Sequence, residues 1–229
     1  MDNKRSLVPC LRSGVSIFAA LLVLALPALA GPPLVCHPIN IGSADSLAWT
    51  TNMGNLTGRS DFDLGRLVAD TLALLGPDMP VLVRMETLRR ATIYAQRDSA
   101  VAKHLLLSLK ARTDANPSDA LAEFDFGYLV ECYKQAQLAR SEGMTAWGRG
   151  EWANPAAGVD GYSLVKKAIG LRGQDPEMEF AAALITMNGA KSEHEEHAQK
   201  ALAGAKEDSL LATNVAENPF FHTAATAKN

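Results

Sequence analysis

The stretch NPSDALAEFDFGYLVECYKQA, residues 116–136, decides the fold class. Leu121, Phe124, Tyr128, Leu129, Cys132 and Ala136 recur three or four residues apart, which places them on one face of a helix about six turns long. Asn116 followed by Pro117 reads as a cap and a first turn. An apolar face of that length needs other helices to cover it, because no segment nearby alternates apolar and polar residues as a strand would.

The same period recurs on both sides. Upstream, Phe62, Leu64, Leu67, Val68, Leu72 and Leu75 form a helical face with Ser60 as its cap and Gly76, Pro77 as its stop. Pro80 opens a second helix, with Val83, Leu88, Ala91 and Ala95 on one face and Arg84, Glu86, Arg89 and Arg90 on the others. Asp98 and Ser99 punctuate before a third, which carries Val101, Leu105, Leu106 and Leu109. Residues 61–140 thus read as helical hairpins. Downstream, residues 162–218 return to the pattern. Asp175 caps a helix with Pro176 in its first turn, Ser192 forms a capping-box pattern with Glu195, and a short helix runs from Leu210 to Val215. The expected fold is all-α, built from antiparallel helix pairs, with a frayed tail over 219–229.

Residues 1–30 have the layout of an export leader. Lys4, Arg5 and Arg12 precede an apolar run from Val15 to Leu26, and Ala28, Leu29, Ala30 match a small-residue cleavage site. The run is shorter than the ~20 residues that span a bilayer, so cleavage after Ala30 is expected, with export to the periplasm or the outside medium. The remaining 199 residues carry 19 Lys and Arg against 24 Asp and Glu, a net charge near −5. That balance, without any basic run interleaved with aromatics, points away from nucleic acid and from an anionic membrane surface.

Residues 31–60 are rich in Gly, Pro, Asn, Ser and Thr and read as an irregular lead-in, with Cys36, Ile39, Ile41, Leu47 and Trp49 available to pack on the helical body. Cys36 and Cys132 both survive cleavage. In an oxidising compartment they are expected to pair as a structural disulfide.

A shift of 33 residues lays Lys167, Ala168, Ile169 and Asp175 over Lys200, Ala201, Leu202 and Asp208. Ala168, Ile169, Gly170, Leu171 followed by Asp175, Pro176, Glu177 and Phe180 resembles the junction between tetratricopeptide repeats. The resemblance covers about residues 162–215 and lacks the Trp, Leu-Gly and Tyr pattern of that family's first helix. It implies stacked helix pairs with a concave surface for a protein or peptide partner, and no catalysis.

Three groups of side chains are candidate sites. His194 and His197, three apart in the acidic run Glu193 to Glu196, fall on one helix face where a divalent metal could bind with a further carboxylate. The spacing is not that of zinc proteases, whose histidines are four apart. The alternative is a solvated first turn in which acids favour the helix N-terminus. Between 141 and 161 a glycine-rich loop holds Trp147, Arg149 and Trp152, which suit a partner contact or, alternatively, indoles folded down to seal the helical halves. Cys36 and His37 lack the second cysteine of a haem attachment motif, because position 33 is Pro33. No serine elbow, phosphate loop or dinucleotide glycine pattern appears. No catalytic residue is assigned and no cofactor is expected. A partner-binding protein is the first reading, and a metal-binding protein or metal-dependent enzyme the second.

Overall fold

A computed structural model describes residues 31–50, 57–141, 152–218 and 221. The expected leader, Trp147 and Arg149 lie outside them. Among the described residues there are nine α-helices and no strand. They are α1 (Pro33–Cys36), α2 (Leu67–Leu74, entered by a 3-10 turn Leu64–Arg66), α3 (Val81–Ala95), α4 (Ser99–Ala115), α5 (Ala120–Ser141), α6 (Gly161–Arg172), α7 (Pro176–Thr186), α8 (Lys191–Gly204) and α9 (Leu210–Glu217). No helix among these is long and apolar enough to cross a membrane.

Several ends differ from the sequence expectation for a stated reason. The first helix is capped by Asp63, which accepts from Gly65 N–H, and not by Ser60. Asn116 closes α4, its N–H on the Arg112 carbonyl, and α5 starts only after Asp119 takes the N–H groups of Leu121 and Ala122 at 2.9 and 3.1 Å. A carboxylate three residues further on outcompetes the asparagine, since its charge suits the helix N-terminus. Ser192 lies inside the first turn of α8, whose cap position is Ala190 with no side-chain bond. Asp98, Asp175 and Ser209 do cap α4, α7 and α9.

Helix α3 organises the N-terminal half. Every residue in it except Arg90 is buried, charged ones included, so the outward face expected for Arg84, Glu86 and Arg89 does not exist. Each charge has partners. Arg84 bonds Asp125 of α5 at 2.6 Å and the carbonyls of Gly76 and Met79, while Arg112 takes the Leu75 carbonyl. The two guanidiniums thus bond carbonyls of the turn that links α2 to α3. Glu86 collects Arg89, Arg90 and the Ile39 N–H. Arg89 and Arg90 reach on to the carbonyls of Val35 and Leu47. The lead-in is therefore held along α3, with Tyr94 donating to Ala48 O and Trp49 packed edge-on to the Tyr94 ring.

The two halves meet along α5 and α6. Gly127 lies in mid-helix because a Cβ there would stand 2.8 Å from the Gly161 carbonyl and from Leu164 Cβ. Nearby, Glu131 accepts the Tyr162 N–H at 3.0 Å, and Glu123 pairs with Lys167 at 2.9 Å. At the opposite edge Asn214 of α9 brackets Asn40, accepting its N–H and donating to its carbonyl.

No disulfide joins Cys36 to Cys132, which corrects the pairing expected from the sequence. The Cys132 thiol lies fully buried beside Thr92 of α3, and Cys36 ends α1 half-buried. Burial raises the Cys132 thiol far above its ordinary range, which suppresses the thiolate that exchange requires.

Two outcomes test this packing. Gly127→Ala should lower the urea-unfolding free energy by roughly 1–3 kcal/mol through overpacking, although helix propensity alone favours alanine by ~1 kcal/mol. Burial pushes the Asp125 carboxyl from 3.8 up to about 6 despite Arg84 and Arg112. Folding therefore favours the protonated acid, and that contribution is full below the unfolded value and lost as pH rises through about 6. Comparing wild type with Asp125→Asn from pH 4 to 7, the stability difference should shift against wild type by on the order of 3 kcal/mol.

Candidate functional site

The described residues place one connected set of polar side chains at the junction of α6, α7 and α8. Tyr162 comes from the first turn of α6, which Asp160 caps. Glu179 belongs to α7 and is only 2% exposed, although its neighbours in the run Met178 to Leu184 are apolar or alanine. His197 sits on the buried side of α8. His197 Nδ1 lies 2.5 Å from Glu179 Oε2, and its Nε2 lies 2.8 Å from the Tyr162 hydroxyl.

The direction of these bonds follows from the groups. A carboxylate can only accept, so Nδ1 carries the hydrogen. With a single proton on the ring, Nε2 then accepts from the Tyr162 O–H. Burial first, and then the negative charges of Glu193, Glu196 and Glu179, push the Tyr162 hydroxyl up to about 12. The phenol therefore stays protonated near neutral pH. The chain shares the connectivity of a catalytic triad with a phenol as its terminal oxygen, and no group in it is assigned a catalytic step. What it does achieve is to fix the Glu179 carboxylate in one place.

Lys200, one turn beyond Glu196 on α8, completes the group. Its Nζ lies 2.7 Å from Glu196 Oε1 and 3.7 Å from Glu179 Oε1. The bond to Glu196 is the main reason that its pKa is raised. Next to Glu179 and Lys200 is an open cavity of about 270 Å³, lined also by Gln174, Pro176, Ala203 and Gly204. Gly204 lets the end of α8 settle on Pro176, since any Cβ there would collide with the proline ring. Gln174 holds a left-handed backbone, φ 62°, in the turn that Gly173 begins at φ 74°.

The residues singled out in the sequence fare differently. His194 and His197 both turn toward α7 one turn apart, but each uses its inward nitrogen there, His194 Nδ1 on the Ala183 carbonyl at 2.8 Å and His197 on Glu179. A metal at this pair would have to displace the Glu179 and Tyr162 bonds. Among the described residues no group of three or more His, Cys, Asp or Glu side chains is placed to hold a metal ion. Trp152 is not a displayed contact residue: it is 6% exposed, edge-on to Tyr133 of α5 at 5.3 Å. Tyr162, Glu179 and Lys200 were missed. The one signal was an acid embedded in the apolar run of α7.

A second cavity of about 260 Å³ near Phe62 is ringed by Arg59 with Asp61 and Arg66 with Asp70, pairs that satisfy one another.

No protein-family model matches the chain, and no curated protein or solved structure matches it either.

The hydrogen-bond directions are testable. Nitrogen chemical shifts of His197 should report the Nδ1–H tautomer at neutral pH, and Tyr162→Phe should cost about 1–2 kcal/mol in thermal unfolding by stranding Nε2. An Nε2–H tautomer would overturn the assignment.

Proposed function

We propose that this chain is an exported helical-repeat protein that holds a protein or peptide partner, and that the partner meets it at the cavity between α7 and α8. The observation that carries the reading is a buried carboxylate, Glu179, aligned by His197 and Tyr162 and bordering an open cavity that Gln174, Pro176, Lys200, Ala203 and Gly204 also line. Convergent polar groups in a concavity are the ordinary form of a recognition site.

Two further features support it. The closest helix neighbours in the C-terminal half are α5 with α6 and α7 with α8. In the tetratricopeptide resemblance the junction at Ala168 to Asp175 falls between two such hairpins. The leader pattern over residues 1–30 supports export, with the periplasm or the outside medium as destination.

A photo-crosslinking amino acid at Ala203, which is exposed at the cavity rim, provides the test. In cells that produce the protein, position 203 should give a discrete adduct that the same probe at Leu107, exposed on α4, does not. Identical adducts from both positions, or none from 203, would sink the reading.

A further inference from the structure

Glu179 has two carboxylate oxygens, and only Oε2 is committed, to His197. Oε1 faces the Lys200 ammonium at 3.7 Å, beyond hydrogen-bond reach, because Lys200 is drawn to Glu196 at 2.7 Å. A nearly buried carboxylate whose second oxygen has an ion-pair contact but no hydrogen bond, beside an open cavity, is poised for a cationic donor.

The helix ends agree on the sign. The N–H groups at the start of α7 are consumed, since Asp175 accepts from Glu177 and Met178 and Pro176 has none to give. The partial positive charge of that end is thus already covered by a carboxylate. The end of α8 is the opposite case. Ala203 and Gly204 line the cavity there, and the last carbonyls of a helix carry partial negative charge and lack intrahelical donors. About 270 Å³ admits the end of one long side chain, at the small extreme of ligand pockets.

We infer that the cavity is a recognition pocket for an arginine side chain presented by the partner polypeptide. This rests on the partner-binding reading and gives that partner its chemistry. A guanidinium suits the site better than an ammonium because its fork can reach Glu179 Oε1 with one arm and the Gln174 side chain or the α8 carbonyls with another. Lys200 stays on Glu196 when the guanidinium enters, and its positive charge weakens the binding.

The probe is the blocked pentapeptide Gly-Gly-Arg-Gly-Gly, titrated into the purified chain while the amide resonances of Ala203 and Gly204 are followed. Saturable shifts are expected. Replacing the arginine by neutral citrulline, or introducing Glu179→Gln, should weaken binding roughly tenfold or more. Lys200→Met should tighten it. Because Glu179 is buried, Ala203→Phe serves as a second variant at an exposed position, filling the cavity without touching the carboxylate, and it should also abolish the shifts. Equal affinity for the arginine and citrulline peptides, undiminished binding in Ala203→Phe, or no shift in the wild type would each overturn the inference. Arginine amide alone saturating as tightly as the pentapeptide would assign the site to a small molecule and overturn the polypeptide partner. A position-203 crosslink that persists unchanged in Glu179→Gln would leave the partner reading standing and remove the arginine pocket.

Discussion

The structure depends on what happens to the charges of α3. A helix whose residues are buried nearly all round must either be apolar or find a partner for each ion, because an isolated charge in the interior is far costlier than a paired one. α3 takes the second course with Arg84, Glu86 and Arg89. Their partners come from Asp125 on α5, from carbonyls of the turn between α2 and α3, and from the backbone of the lead-in. Two segments far from it in sequence, the lead-in and α5, are thereby fixed to one helix. The irregular residues 31–50 are as much a part of the core as the helices, since they carry the carbonyls that Arg89 and Arg90 require.

From α3 the order passes through α5 to the C-terminal half. Asp125 faces α3, while Glu123, Gly127 and Glu131 on other faces of the same helix meet α6. The contact at Gly127 is backbone against backbone, so the register of α6 is set closely, and with it the position of Tyr162 one residue after Gly161. Tyr162 then reaches His197 and, through it, Glu179. The site is anchored by the same helix that neutralises α3.

How much of this was legible follows from the kind of signal each feature leaves. Apolar spacing and capping residues are local, so the helices, the all-α class and the caps Asp98 and Asp175 could be read directly. Buried charge is not local. Arg84, Glu86 and Arg89 look like a solvent face because nothing nearby in sequence names Asp125, Val35 or Ile39 as their partners. The same blindness misplaced the histidines. Spacing put them on one face, as it is, but the Ala183 carbonyl and Glu179 that occupy them lie 11 and 18 residues back. Trp152 is a case where the sequence left two readings, display or an indole folded down, and the ring lies packed against Tyr133.

The character of the site can be argued from which atoms are already used. The relay ends on a phenol whose loss of a proton is opposed by burial and by three carboxylates. Yet the relay has a second end. Reading from the tyrosine inward, each bond restrains the next, until Glu179 is left with one oxygen on His197 and the other facing Lys200, beside the cavity that both residues line. Orientation of that kind lowers the cost of binding, because the carboxylate has no rotamer freedom left to lose when a cation arrives. Lys200 fits the same logic: it lies close enough to temper the negative charge while the site is vacant, but its hydrogen bond goes to Glu196, so no strong bond has to break before the carboxylate can be used.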